Sequence, residues 1–204
     1  GLLTPESRYI ERLEDSEEGA GDAVRSFSQP VVVKPVGWGS SVGVSIVGGY
    51  ASVLAAVQKL FADGAPSVLI EEYIKGKEAT VGVVEGLRGE ALYALLPVEI
   101  VPPSGEFFNY TNKYDGSTRE IIPGNFSRVA AEELQRAAKV IHRALGLRHY
   151  SRSDFIATPK GIYYLETNTL PGLTTESLLP KSLAAVGVSF SDFLSHLINL
   201  ALKR

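Results

Sequence analysis

The spacing of apolar residues changes several times along the chain, and each change predicts an element. Three β-branched residues after Pro30 predict a strand over residues 31–34. Val53, Val57 and Leu60 recur at helical spacing and predict an amphipathic helix over residues 50–62. Residues 67–74 read as a strand. Residues 79–84 and 90–100 alternate or run apolar, with a hairpin turn over residues 86–89. Leu134, Ala138, Ile141 and Leu145 step by four, three and four, which predicts a helix over residues 129–145 stopped by Gly146. Residues 150–157 and 161–166 read as two strands joined by the turn Thr-Pro-Lys-Gly. A helix is expected over residues 174–185, with Pro180 compatible only with its first turn. Ser189 caps a last helix that buries Phe190, Phe193, Leu197 and Leu200.

Two stretches lack periodicity. Residues 1–29 are polar and charge-dense, and read as a connector with one short helix over residues 21–26. Residues 102–124 are long, polar and aromatic, as expected of a lid or binding loop. The order β-α-ββββ-loop-α-ββ-α-α predicts an α+β fold with a largely antiparallel sheet.

Composition narrows the classes. The chain has 204 residues, of which 45% are hydrophobic, enough for one large domain or two small ones. Lys and Arg total 20 against 23 Asp and Glu, so there is no basic excess of the kind a dedicated nucleic-acid binder carries. The absence of cysteine excludes a disulfide framework and a cysteine-based zinc site. No apolar run approaches the ~18 residues of a membrane span, and no signal peptide is visible at the start. No nucleic-acid or membrane partner is therefore expected. A chain that opens Gly-Leu-Leu-Thr-Pro without methionine reads as a piece of something longer, or a processed product.

The run "VVVKPVGWGSSVGVSIVGG" places Lys34 at a strand end, before a loop rich in glycine and serine. Gly37, Gly39 and Gly43 free the backbone for amides to converge on phosphate oxygens, and Ser40 and Ser41 add hydroxyl donors. Lys34 would hold a phosphate as a point charge. A glycine-rich hairpin turn with a surface lysine fits the same residues. The spacing matches neither the P-loop nor the dinucleotide-binding pattern.

A second group lies in "SRSDF" and "LETN". Positions two apart on a strand share a face, so Arg152 and Asp154 share one, as do Glu166 and Asn168. Neighbouring strands would bring Asp154, Glu166 and Asn168 into one volume, a hard oxygen site suited to magnesium. The alternative is a solvated acidic sheet face. A third group, "IEEYIKGKE", ends a strand at Glu71, Tyr73 and Ile74. Its backbone could pair with an adenine edge, and Glu78 could accept from ribose hydroxyls; surface charges are the competing reading. His142 and His196 fall in helices as solvated or half-buried groups, and His149 opens a strand as a structural residue.

Together "VVVKP…GSSVGVS", "IEEYIKGKEATVGV", "NYTNKY", "SRSDF" and "YYLETNTLPGLTTESLLP" resemble the central and C-terminal domains of the D-alanine–D-alanine ligase family, of ATP-grasp fold. The resemblance implies two α+β subdomains with mainly antiparallel sheets enclosing a nucleotide site. It divides the chain into residues 1–28 as connector, 29–85 as the small central subdomain, and 86–204 as the C-terminal subdomain with a lid over 102–124. It implies ATP- and magnesium-dependent joining of two D-alanines through an acyl phosphate, a cytoplasmic step of peptidoglycan precursor synthesis.

The resemblance also implies roles. Lys34, Ser40 and Ser41 would contact ATP phosphates, with Ser40 also among the catalytic residues. Glu71, Tyr73 and Ile74 would meet the adenine, and Glu78 the ribose. Lys113 would reach the γ-phosphate and Tyr114 would close over the second substrate. Asp154, Glu166 and Asn168 would hold two magnesium ions, or manganese. Arg152 and the Gly172 N–H would stabilise the oxyanion, and Ser177 and Leu178 would bind the carboxylate of the incoming D-alanine. A homodimer is implied, as is an N-terminal domain beyond these residues. Two alternatives remain: another ATP-grasp carboxylate–amine ligase, and a nucleotide-binding module without turnover.

Overall fold

The computed structural model of the chain describes residues 2–102 and 118–202. They form two compact units. One is built on residues 4–75; the other joins residues 2–3, 76–101 and 119–202.

The first unit is a four-stranded antiparallel sheet beneath two helices. Strands β1 (Ser7–Ile10), β2 (Val31–Pro35), β3 (Ser45–Val47) and β4 (Val68–Glu72) lie in the order β1-β4-β2-β3. Alternation along β2 and β4 sends Val31, Val33, Val68 and Ile70 into a core with Val53, Val57 and Leu60 of α2 (Tyr50–Ala62) and Ala20 and Ala23 of α1 (Ser16–Ser26). The other face of the sheet carries Val32, Lys34, Leu69 and Glu71.

The second unit is a six-stranded antiparallel sheet covered by helices on both faces. Its strands are β5 (Lys77–Glu85), β6 (Leu92–Ala94), β7 (Val98–Val101), β8 (Arg119–Ile121), β9 (Tyr150–Thr158) and β10 (Gly161–Asn168). The order is β10-β9-β5-β7-β8, with β6 also on β5. Helix α3 (Arg128–Ala144) is capped by Ser127, whose hydroxyl accepts from the Ala130 N–H at 3.2 Å. It packs Leu134, Ala137, Ala138 and Ile141 on Ala79, Val81, Val83 and Phe155. Helices α4 (Leu178–Ala185) and α5 (Phe190–Leu202) cover the end of the opposite face. There Leu179, Leu183 and Phe193 pack on Val84, Leu95 and Tyr150.

Several elements differ from the sequence reading, each for a local reason. The expected connector holds β1 and a longer α1. β1 buries only Ile10, so it shows no apolar alternation. Gly19 and Gly21 disguise α1, yet Gly19 is where Ile10 approaches; a Cβ there would lie 2.7 Å from its Cδ1. The expected strand 90–100 is two strands. The break falls at Leu95, whose N–H bonds Gly82 O at 2.8 Å, before Pro97. Strand β8 occupies part of the expected lid, and residues 103–117 lie outside the described residues. The helix expected from residue 174 starts at Leu178, which places Pro180 in its first turn. The units part between Lys75 and Gly76 because β5 pairs along its length with β9, whereas the sequence reading divides them after residue 85.

His142 is buried rather than solvated. It is 1% exposed, its Nδ1 lies 2.8 Å from Ser151 Oγ, and Glu85 Oε1 is 3.8 Å from Nε2. Burial depresses its pKa, against the opposing pull of Glu85. The folded state thus resists protonation that the unfolded chain accepts. Its contribution is fully present above the unfolded pKa of about 6.5 and is lost as pH falls through the folded value. Urea unfolding is expected to show stability falling from pH 7 toward pH 5, with a shallower fall in His142→Gln. An equal slope in both proteins would show that other groups cause it.

Candidate functional site

The acidic group in the second unit is set by strand register. Across β5, β9 and β10 one row reads Thr80–Asp154–Glu166 and the next Gly82–Arg152–Asn168. All six share the face that α4 and α5 cover only at its far end. A β-bulge makes this possible. Tyr164 pairs with Phe155 and Glu166 with Asp154, so Leu165 is the extra residue. Tyr164 therefore stays with the α3 core, near Phe155 at 6.0 Å between ring centroids. Beyond the bulge Thr167 takes that side, within 2.8 Å of Ser153 Oγ, and Glu166 and Asn168 turn to the other.

Asp154 is the centre of the group. Its carboxylate accepts from Arg152 Nε at 3.2 Å and Nη2 at 3.3 Å, and from Thr80 Oγ1 at 2.5 Å. Asn168 Nδ2 donates to it at 3.4 Å. Glu166, its cross-strand partner, is exposed. Directly opposed residues have Cβ atoms about 5 Å apart, close enough for two carboxylates to share a divalent cation. Among the described residues no set of three His, Cys, Asp or Glu side chains gathers as a metal site. The donors here are two carboxylates and one amide. That fits magnesium, which completes its shell with water and phosphate oxygens.

Thr80 was not singled out from the sequence. It is the polar residue in the apolar strand "ATVGVV", and its hydroxyl fixes the Asp154 carboxylate from the third strand. Gly82 is close-packed: a Cβ there would lie 2.7 Å from Leu179 Cδ1 and 2.8 Å from Leu95 Cδ1. This contact seats α4 beside the acidic row.

The segment ahead of α4 is a tight polar loop. Ser177 N–H bonds Thr174 O at 2.9 Å, and the two hydroxyls are 2.9 Å apart. A Cβ on Gly172 would lie 2.8 Å from Ser177 Oγ, so this glycine permits the close approach. Leu178 is buried at the helix start. Lys181, one turn on, bonds Glu120 of β8 at 2.9 Å and lies 3.4 Å from Glu176. The Glu120 hydrogen bond raises its pKa.

The first unit holds the other group. On the sheet face away from the helices, Lys34 Nζ lies 2.7 Å from Glu71 Oε2, diagonally across β2 and β4. The loop after Pro35 turns through Ser40 and Ser41, whose φ angles of 55° and 56° are left-handed. Val42 N–H bonds Gly39 O and Val44 N–H bonds Ser41 O, so successive turns present the loop backbone. Gly43, with φ 76°, is needed where it stands: a Cβ would lie 2.8 Å from Leu60 Cδ2. Trp38, the sole tryptophan, packs half-buried against this unit's core. Strand β4 ends at Glu72, so Tyr73 and Ile74 lie in the link that follows rather than in the strand. Glu78 stands on β5, two residues from Thr80 and on the same face. Lys113 and Tyr114 lie outside the described residues.

A family profile described as "D-ala D-ala ligase C-terminus" matches residues 5–199. D-alanine–D-alanine ligase of Syntrophobacter fumaroxidans is 44% identical over 176 residues, covering 85% of this chain and 55% of the relative. That of Flavobacterium johnsoniae is 34% identical over 202 residues, covering 99% and 61%. Among solved structures, VanG D-Ala:D-Ser ligase from Enterococcus faecalis is similar with TM-score 0.84 and 34% identity, covering 98% of this chain and 57% of that one. D-alanine–D-alanine ligase from Bacillus anthracis complexed with ATP is similar with TM-score 0.79 and 30% identity, covering 100% and 62%. The chain thus spans little more than half the length of these relatives.

Proposed function

The chain belongs to the D-alanine–D-alanine ligase family, and on that premise we propose that it supplies the ATP- and magnesium-binding part of a ligase joining two D-alanines for peptidoglycan precursors. Its fold is ATP-grasp, as in the solved relatives. The observation that carries the proposal is the Asp154–Glu166 row, with Thr80, Arg152 and Asn168 around it.

The reaction proposed has two steps. A carboxylate oxygen of the first D-alanine attacks the γ-phosphorus of ATP, and ADP leaves. The amine of the second attacks the carbonyl carbon of the acyl phosphate, then loses a proton as phosphate departs. Positioning and charge neutralisation do the work, as in other phosphoryl transfers.

Each residue has a role in this reading. Lys34 meets phosphate charge, and Ser40, Ser41 and their loop amides wrap the phosphates. Glu71, Tyr73 and Ile74 meet the adenine, and Glu78 the ribose. Asp154, Glu166 and Asn168 hold magnesium, whose charge offsets that of the phosphates. Arg152 and the Gly172 N–H stabilise the oxyanion, and Asp154 keeps the guanidinium oriented until then. Ser177 and Leu178, at the start of α4, receive the second carboxylate, with the helix N-terminus assisting. Lys113 reaches the γ-phosphate, and Tyr114 covers the second substrate.

The test is D-alanine-dependent phosphate release from ATP. It is measured on the chain alone and on the chain joined to the part of a relative that lies outside the match. Release with the joined protein is expected; none in either, with ATP still bound, would favour a nucleotide-binding module. That second reading draws on the partial coverage of the relatives. Trp38 fluorescence supplies the binding signal. Lys34→Met is expected to weaken ATP binding about tenfold in that titration and to cost about 1–3 kcal/mol of stability, because Glu71 would be left buried without its cation. Unchanged ATP affinity would remove Lys34 from the phosphate site.

A further inference from the structure

The glycine-rich loop after β2 carries backbone strain at its turn. Ser40 and Ser41 stand in the left-handed region at φ 55° and 56°. Serine adopts that conformation at a cost, and two such residues in succession persist only where the surroundings fix them. The bonds of Val42 N–H to Gly39 O at 3.1 Å and Val44 N–H to Ser41 O at 3.2 Å are local to the loop. Val36 and Val42 are 37% and 41% exposed, and a Cβ on Gly37 or Gly39 would meet nothing within 4 Å. Core contacts stand on both sides of the strained pair. On the return side Gly43 lies close against Leu60, and on the outgoing side Trp38 packs against the same core. In a loop otherwise made of glycine, serine and valine, that ring is the largest apolar anchor.

We propose that Trp38 is a positioning residue for phosphate binding. Its ring pins the loop to the core of the first unit and holds the Ser40–Ser41 turn in the shape that presents loop amides to a nucleotide's phosphates. This rests on the reading of the loop as the phosphate cradle, and adds the side chain that shapes it. Gly37 and Gly39, with open space around them, let the chain stay at the surface while the ring between them turns inward. A loop ordered before its ligand arrives binds at a lower entropic cost than one that the ligand must order. Trp38 therefore acts through the loop backbone, whereas Lys34 acts by charge.

The test compares the parent chain with Trp38→Ala and Trp38→Phe by calorimetric titration, because the variants lack the only indole. Trp38→Ala is expected to weaken magnesium-ATP binding about tenfold, the cost of ordering the loop on binding. Adenosine affinity should stay unchanged, since adenosine offers the loop no phosphate. Trp38→Phe keeps a ring in the same place and should restore most of the ATP affinity. Without ligand, amide exchange at Val42 and Val44 should run at least about fivefold faster in Trp38→Ala than in the parent. If the alanine protein does not fold, Trp38→Leu gives the same comparison. ATP affinity and exchange that match the parent would overturn the proposal. So would an equal loss for ATP and adenosine, which means general damage to the unit. A parent that binds ATP no better than adenosine would overturn the phosphate reading of the loop, and the role of Trp38 with it, even where the exchange rates show a pin.

Discussion

Glu166→Gln is expected to lower affinity for magnesium-ATP by about 10–100-fold while leaving the Tm nearly unchanged. The first half follows from charge. Changing even the outer partners of metal ligands typically costs 10–100-fold in metal affinity. Here one of two anionic donors goes, while the amide keeps the shape. The second half follows from exposure: Glu166 lies on the open part of the face, and ion pairs at such positions contribute little to stability. Asp154→Asn separates the two effects. It removes the negative charge and puts an NH2 in place of one of the two oxygens that accept from Arg152, Thr80 and Asn168, so both affinity and Tm should fall. The readout is a magnesium titration of Trp38 fluorescence at fixed ATP, beside thermal unfolding. A Glu166→Gln titration that overlays the parent would remove Glu166 from the cation site.

Both groups proposed to meet charge sit in ion pairs. Lys34 is held by Glu71, and Arg152 by Asp154. Each cation is half-buried on a sheet face, where an unpaired charge is costly. In the proposed function a phosphate or divalent cation would take the place of one of these partners. In the proposed mechanism Asp154, Glu166 and Asn168 would hold magnesium, and Arg152, which donates to the Asp154 carboxylate, lies beside them to meet a developing oxyanion.

Helices were the most legible part of the chain. The step Val53–Val57–Leu60 bounded α2 at Tyr50 and Ala62, because periodic burial on one core leaves a complete trace. The short edge strands β1, β3 and β8 left little trace, unlike β10, which is eight residues long. β1 buries one residue, and β3 and β8 have three residues each, too few for alternation to register. The pairing of Asp154 with Glu166 was legible as two strand-borne carboxylates, but the bulge at Leu165 was not. Strict alternation from core residue Tyr164 would turn Glu166 inward, and only the register reverses it. Thr80 was hidden because threonine is an ordinary β-former. His142 was misread because its helical position is polar in type; its burial depends on Ser151, nine residues away on another element.

Phe193→Ala is expected to cost about 3–5 kcal/mol, the usual range for a fully buried phenylalanine. Phe193 has no exposed surface, and its ring meets Tyr150 edge-on at 5.5 Å and 85°. It joins α5 to the same small core as Leu179 and Leu183 of α4. The cavity would therefore open beneath the helix whose first turn carries the proposed carboxylate site. Stability and function should separate in a defined way. Magnesium affinity, which the proposal assigns to Asp154, Glu166 and Asn168 of β9 and β10, should survive below the lowered Tm. D-alanine dependence, set by residues 172–178, should weaken in the joined protein. Leu194→Ala, on the exposed side of the same helix, should leave the Tm of the chain alone within about 0.5 kcal/mol equivalent of the parent. Thermal and urea unfolding of the two variants check this contrast. A Phe193→Ala loss as small as that of Leu194→Ala would mean that α5 is not anchored through its inner face, and the division of the helix into buried and exposed sides would fail with it.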